Sequence, residues 1–66
     1  MRVSDFTTPE LDRLREQCNF VGHESQVFEL RSKGISLEQI AELLNMSVTN
    51  TGRVSQKVNN KIKRIL

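Results

Sequence analysis

Between Gly34 and Ser47, fourteen residues carry the signals to end one helix, build a second and start a third. Gly34 suits the left-handed conformation that often closes a helix, and Ile35 after it can fold back on Leu30. Ser36-Leu37-Glu38-Gln39 is a capping box of the Ser-x-x-Gln type. Ile35 before the cap and Ile40 after it have the spacing of a hydrophobic staple. Leu37, Ile40, Ala41 and Leu44 then form one apolar stripe. Asn45 tolerates positive φ and stops this helix, and Ser47 caps the next. Two helices joined by Asn45-Met46-Ser47 predict a tight helical corner, with small Ala41 at the crossing and Met46 turned back into the core.

The rest of the chain supplies helices to back that corner, and strand signals are weak throughout. Thr8 before Pro9 reads as an N-cap followed by the first helical position, with Thr7 and Glu10 as an alternative capping box. Leu11, Leu14 and Cys18 make the stripe of a first helix at about 9–19, and residues 1–7 are expected to be frayed and disordered. Asn19 to Gly22 breaks the pattern. A second helix is predicted from His23 or Glu24 up to Gly34, with Phe20, Val27, Phe28 and Leu30 inward. After Ser47, the stripe Thr51, Val54, Val58, Ile62 and Ile65 has spacings of 3, 4, 4 and 3. The expected fold is all-α: a small four-helix domain over residues 8–66 containing a helix-turn-helix whose core is about 36–62. Leu43 lies off the stripe. It is expected under the first helix, where Leu11 and Leu14 need a partner surface, with a protein contact as the alternative.

Length and charge narrow the function classes. A chain of 66 residues is one domain with a thin core and little room for a cleft holding several catalytic groups. Apolar runs stop at two residues, which excludes a transmembrane helix or a secretory apolar region, and one cysteine cannot staple a fold. A cytoplasmic, nucleoid-associated protein is the expectation. The net charge is only +2, but residues 1–33 hold five basic and six acidic side chains, whereas 34–66 hold five and two. From Asn45 onward there are five basic residues and no acidic one, a bias toward a polyanionic partner. A basic C-terminal helix end favoured by the helix dipole would look the same.

Residues 20–62 resemble the DNA-binding domain of LuxR-type regulators and the related fourth conserved region of bacterial sigma factors. The resemblance is carried by Gln26-Val27-Phe28-Glu29-Leu30, Gly34-Ile35-Ser36, Glu38-Gln39-Ile40-Ala41-Glu42-Leu43-Leu44 and Asn45-Met46-Ser47, most specifically by Gly34 to Ser47. Val54, Val58, Lys61 and Ile62 also fall where the family has apolar, small or apolar, basic and apolar residues. Asn45 replaces the family's turn glycine, Thr51 replaces a core valine or isoleucine, and Val21 stands at a usual hydroxyl cap. Thr51 is expected to weaken the seating of the last helix, and Gly52 inside that helix to cost about 1 kcal/mol of propensity. The family's further C-terminal dimerising helix is not expected here, and neither is a receiver or ligand domain.

The resemblance implies a sequence-specific transcriptional regulator in a bacterium or its mobile elements, reading the major groove with the helix after Ser47. Its outer face shows Val48, Thr49, Asn50, Gly52, Arg53, Gln56 and Lys57. Arg pairs with guanine, Asn or Gln with adenine, and Val48 or Thr49 can touch a thymine methyl. Val48, Thr49, Asn50, Arg53 and Gln56 are therefore the expected base contacts. Lys33, Ser36, Gln39, Lys57 and Lys61 are the expected phosphate contacts. The plain alternative is a solvated polar face and ordinary capping. His23 has no second histidine and only Cys18 for company, so no metal or cofactor is expected, and Cys18 reads as a small core residue. Asp12, Glu16, Glu24 and Glu29 read as solvated faces with local ion pairs, and neither enzyme activity nor a small-molecule ligand is expected. Double-stranded DNA is the expected partner, with RNA polymerase and a second copy of the chain also considered. The rival reading is a sigma-like interaction module that docks on RNA polymerase or a regulatory protein without binding DNA.

Overall fold

The structure, a computed structural model, describes residues 2–66. Four helices follow one another: α1 (Thr8–Gln17), α2 (His23–Ser32), α3 (Leu37–Leu43) and α4 (Val48–Ile65), preceded by a 3-10 turn at Val3–Asp5. No strand occurs among the described residues. At 1.5 Å per residue, α4 is about 27 Å long. It therefore runs nearly the full 29 Å of the domain's longest dimension. The other elements pack around it: α1, α2 and α3 each contact α4, and the 3-10 turn contacts α2.

Capping chemistry sets most boundaries. Thr7, not Thr8, caps α1: its Oγ1 accepts from the Glu10 N–H, and the Glu10 carboxylate accepts from the Thr7 N–H at 2.8 Å. The box satisfies two otherwise orphaned donors, which the Thr8 register cannot do. The helix stops at Gln17, two residues short of the predicted 19. Gly34, at φ 81°, closes α2 with a Schellman pair, Ile35 N–H to the Leu30 carbonyl and Gly34 N–H to the Arg31 carbonyl. Asn45, at φ 55°, closes α3 in the same way: Met46 N–H reaches the Ala41 carbonyl at 2.8 Å and Asn45 N–H the Glu42 carbonyl at 3.2 Å.

The core contains Val3, Leu14, Cys18, Phe28, Val58 and Ile62, with Phe6, Leu11, Phe20 and Ile65 packed against it. Val27, Ile40 and Ala41 are also buried. Phe28 has no exposed surface, and full burial of such a side chain stabilises by about 1.5–3 kcal/mol. The Phe20 ring stacks at a tilt 4.7 Å from it. Arg15 spans the outside, with its guanidinium 5.8 Å above the Phe28 ring and paired to Asp12 and Glu29. These pairs are largely exposed, so each is worth about 0–1 kcal/mol.

Several expectations need correcting. Residues 2–6 are not frayed: Val3 is buried and the 3-10 turn lies on α2, while Met1 lies outside the described residues. Apolar burial of Val3 and Phe6 offsets the chain-end entropy. Leu43 does not pack under α1; it is 65% exposed, and Leu11 and Leu14 join the cluster formed by Val3, Phe28 and α4 instead. Along α4, Thr51, Val58 and Ile62 are buried, Val54 and Ile65 half-buried, and Ser55 is buried among them. Thr51 seats α4 without an orphaned polar atom: its Oγ1 donates to the Ser47 carbonyl at 2.8 Å.

Candidate functional site

The corner between α3 and α4 places one polar helix face in solvent. Ser47 caps α4 by accepting from the Asn50 N–H at 3.1 Å, and the Thr51 N–H closes the first turn on the Ser47 carbonyl at 3.0 Å. With Thr51 fully buried, residues about half a turn away must face outward. Val48, Thr49, Asn50, Arg53, Gln56 and Lys57 are indeed all exposed, and Gly52 is half-exposed. A Cβ built on Gly52 meets no atom within 4 Å, so the helix surface there is open. Arg53 and Lys57 form no ion pair among the described residues, so both charges remain available to a ligand. Gln56 makes only a long 3.5 Å contact to Asn60 one turn on. Lys63 and Arg64 extend the exposed basic surface toward the C-terminal end.

The expected phosphate contacts divide. Lys33 and Gln39 are exposed, and Ser36 caps α3 by accepting from the Gln39 N–H at 3.2 Å. The Ser36 hydroxyl hydrogen remains to be donated. Lys61 is otherwise engaged. Its Nζ donates to the Asn19 carbonyl at 2.7 Å and pairs with the Glu24 carboxylate at 2.5 Å. The side chains are only 28% and 12% exposed, so this pair ties α4 to the start of α2 and the end of α1. The Lys61 hydrogen bond, aided by the Val21 N–H, holds the Glu24 carboxyl below its ordinary range despite partial desolvation. A phosphate at Lys61 would have to break this clamp, so Lys61 leaves the set of phosphate contacts.

Two arginines escaped the sequence reading. Arg2, Ser4, Arg31, Gly34 and Ser36 line a recess of about 260 Å³ where the 3-10 turn meets the α2–α3 loop. The signal was weak, because Arg2 stands in a segment that shows no helical period. Glu38 and Glu42 instead line the depression at the α3–α4 corner beside Val48, so that surface is acidic. Ile35, Gln39, Glu42 and Leu43 line a separate, mainly apolar depression.

Other chemistry is sparse. Burial pushes the Cys18 thiol up, with nearby Lys61 opposing, so little thiolate is present near neutral pH. His23 is exposed at the start of α2. No group of three or more His, Cys, Asp or Glu side chains suited to a metal ion occurs among the described residues, and no helix there is long and apolar enough to cross a membrane. Comparison with protein-family models, with curated proteins and with solved structures finds no match to this chain.

Proposed function

We propose that the domain is a sequence-specific DNA-binding transcriptional regulator, with α3 and α4 acting as a helix-turn-helix and α4 entering the major groove. One observation carries the reading. The corner closed by Asn45 leaves Thr49, Asn50, Arg53, Gln56 and Lys57 exposed on one face of α4, with both charges unpaired. Arg53 has the fork for a guanine edge, and Asn50 and Gln56 have the paired donor and acceptor for adenine. Lys57, Lys33 and Gln39 serve backbone phosphates in this reading. Two copies on a palindrome would supply the number of base contacts that one small domain lacks.

The experiment is a titration with duplexes selected from random DNA, run over a series of salt concentrations. Binding should weaken with log affinity falling by about 0.9 per phosphate neutralised. Arg53→Ala should lose about 1–3 kcal/mol and relax preference at one base position. Lys57→Ala should weaken all sequences alike and lower the salt slope by about one. If neither variant changes affinity or slope, the outer face of α4 does not read DNA.

One observation favours a second reading, an interaction module that docks on RNA polymerase or a regulatory protein. Leu43 is 65% exposed and shares an apolar depression with the half-buried Ile35. Exposed apolar surface of this kind is what a docked protein covers. Leu43→Lys that abolishes a protein contact and leaves DNA binding intact would assign the two surfaces separately.

A further inference from the structure

We propose that the recess between the N-terminal 3-10 turn and the α2–α3 loop is a phosphate seat, in which Arg2 and Arg31 grip one backbone phosphate of duplex DNA. The proposal rests on the DNA-binding reading and adds residues from outside the helical corner. No carboxylate lines the recess, and neither arginine forms an ion pair among the described residues. Arg31 makes only one long hydrogen bond there, 3.5 Å to the Ile35 carbonyl. Two planar guanidinium groups with open donors match the oxygens of a phosphate, and an ionised acceptor roughly doubles the strength of each hydrogen bond. Ser4 and Ser36 also line the recess, and a serine hydroxyl can add a neutral donor. Its volume of about 260 Å³ admits a phosphate group with attached water.

Spacing argues for a backbone phosphate. Ser36 sits at one end of α3, and the reading face of α4 begins just past the other. Seven helical residues span about 10 Å. The major groove is about 12 Å wide, so a recess one short helix away from a groove-bound α4 falls near the groove wall. The 3-10 turn then acquires a purpose beyond packing: burial of Val3 on α2 brings Arg2 to Arg31.

Arg2→Ala and Arg31→Gln in the full chain test this, with thermal melts as a folding control. Arg2 is exposed, so its variant should melt like the parent. A slope of about 0.9 per phosphate corresponds to about an eightfold loss of affinity at 0.1 M salt. The two substitutions together should show that loss equally on a selected and a scrambled duplex, with a salt slope lower by about one and sequence preference unchanged, and each alone should show a part of it. If the parent binds DNA and both variants match it in affinity and slope, the phosphate seat is refuted while the DNA reading stands. If the parent binds no DNA, inorganic phosphate is titrated instead and the amide resonances of Ser4, Gly34 and Ser36 are followed. Saturable shifts that Arg2→Ala abolishes would support a seat for free phosphate, whereas unshifted resonances overturn the site.

Discussion

Gly52→Ala separates the stability of α4 from its use. Gly52 lies in the fifth position of an 18-residue helix, and it is absent from the positive-φ residues, so alanine fits its backbone. The added Cβ meets no atom within 4 Å. Removing an interior helical glycine therefore stabilises by about 0.5–1 kcal/mol, partly by narrowing the unfolded ensemble. For a domain of this size, that is a rise in midpoint of about 2–8 °C. Thermal unfolding followed by far-ultraviolet circular dichroism measures it. Gly34→Ala is the contrast, because φ 81° forces a side chain into the left-handed region at a cost of about 1–2 kcal/mol. The same Gly52→Ala protein is then titrated with duplex DNA. If the bare backbone at Gly52 comes close to the groove, the methyl lowers affinity while the midpoint rises. A lower midpoint would refute the open space around Gly52. A higher midpoint with unchanged affinity would refute close approach at this position.

Ala41 is only 3% exposed, so Ala41→Leu should overpack its site and cost about 1–3 kcal/mol in a urea titration. Val3→Ala should cost about 1–3 kcal/mol, because it removes two buried methyl groups from the cluster that holds the N-terminal turn; an unchanged midpoint would return that segment to a frayed end. Lys61 holds the Glu24 carboxyl, and Arg15 the Glu29 carboxyl, below the ordinary range. Their contribution is fully present above about pH 4.3, the unfolded value, and disappears as pH falls through the lower folded values. Melts from pH 7 down to 2 should therefore be level at first and fall on the acid side. Glu24→Gln should lower the neutral plateau by about 1–3 kcal/mol and flatten part of that fall. An identical acid slope in the variant would remove the clamp from the account of stability.

Much of the molecule was legible because the signals were local. Gly34, Ser36, Asn45 and Ser47 bound α3 through hydrogen bonds that reach at most five residues along the chain, so short-range chemistry is enough to place them. The apolar stripe of α4 needs only the helical period, and Thr51, Val58 and Ile62 are buried as spaced. Ser55 was hidden because it is polar, although it lies one turn past Thr51 on the same face. The exposure of Thr49, Asn50, Arg53, Gln56 and Lys57 followed from the same period, seen from the opposite side.

Tertiary structure decided what depends on distant partners. A segment of a few residues has no period to read, so the burial of Val3 became visible only once α2 offered a surface. Lys61 has the sequence context of a phosphate ligand. Its partners are Asn19 and Glu24, 42 and 37 residues away, and only the packing of α4 across the α1–α2 junction brings them within 3 Å. Leu11 and Leu14 find their partners in the N-terminal turn and α4, so Leu43 stays in solvent and not under α1. Local sequence is enough for the helices and the corner, since capping and periodicity act within a few residues. Which charges remain open to a ligand, and which are used internally, was decided by contacts between segments far apart in the chain.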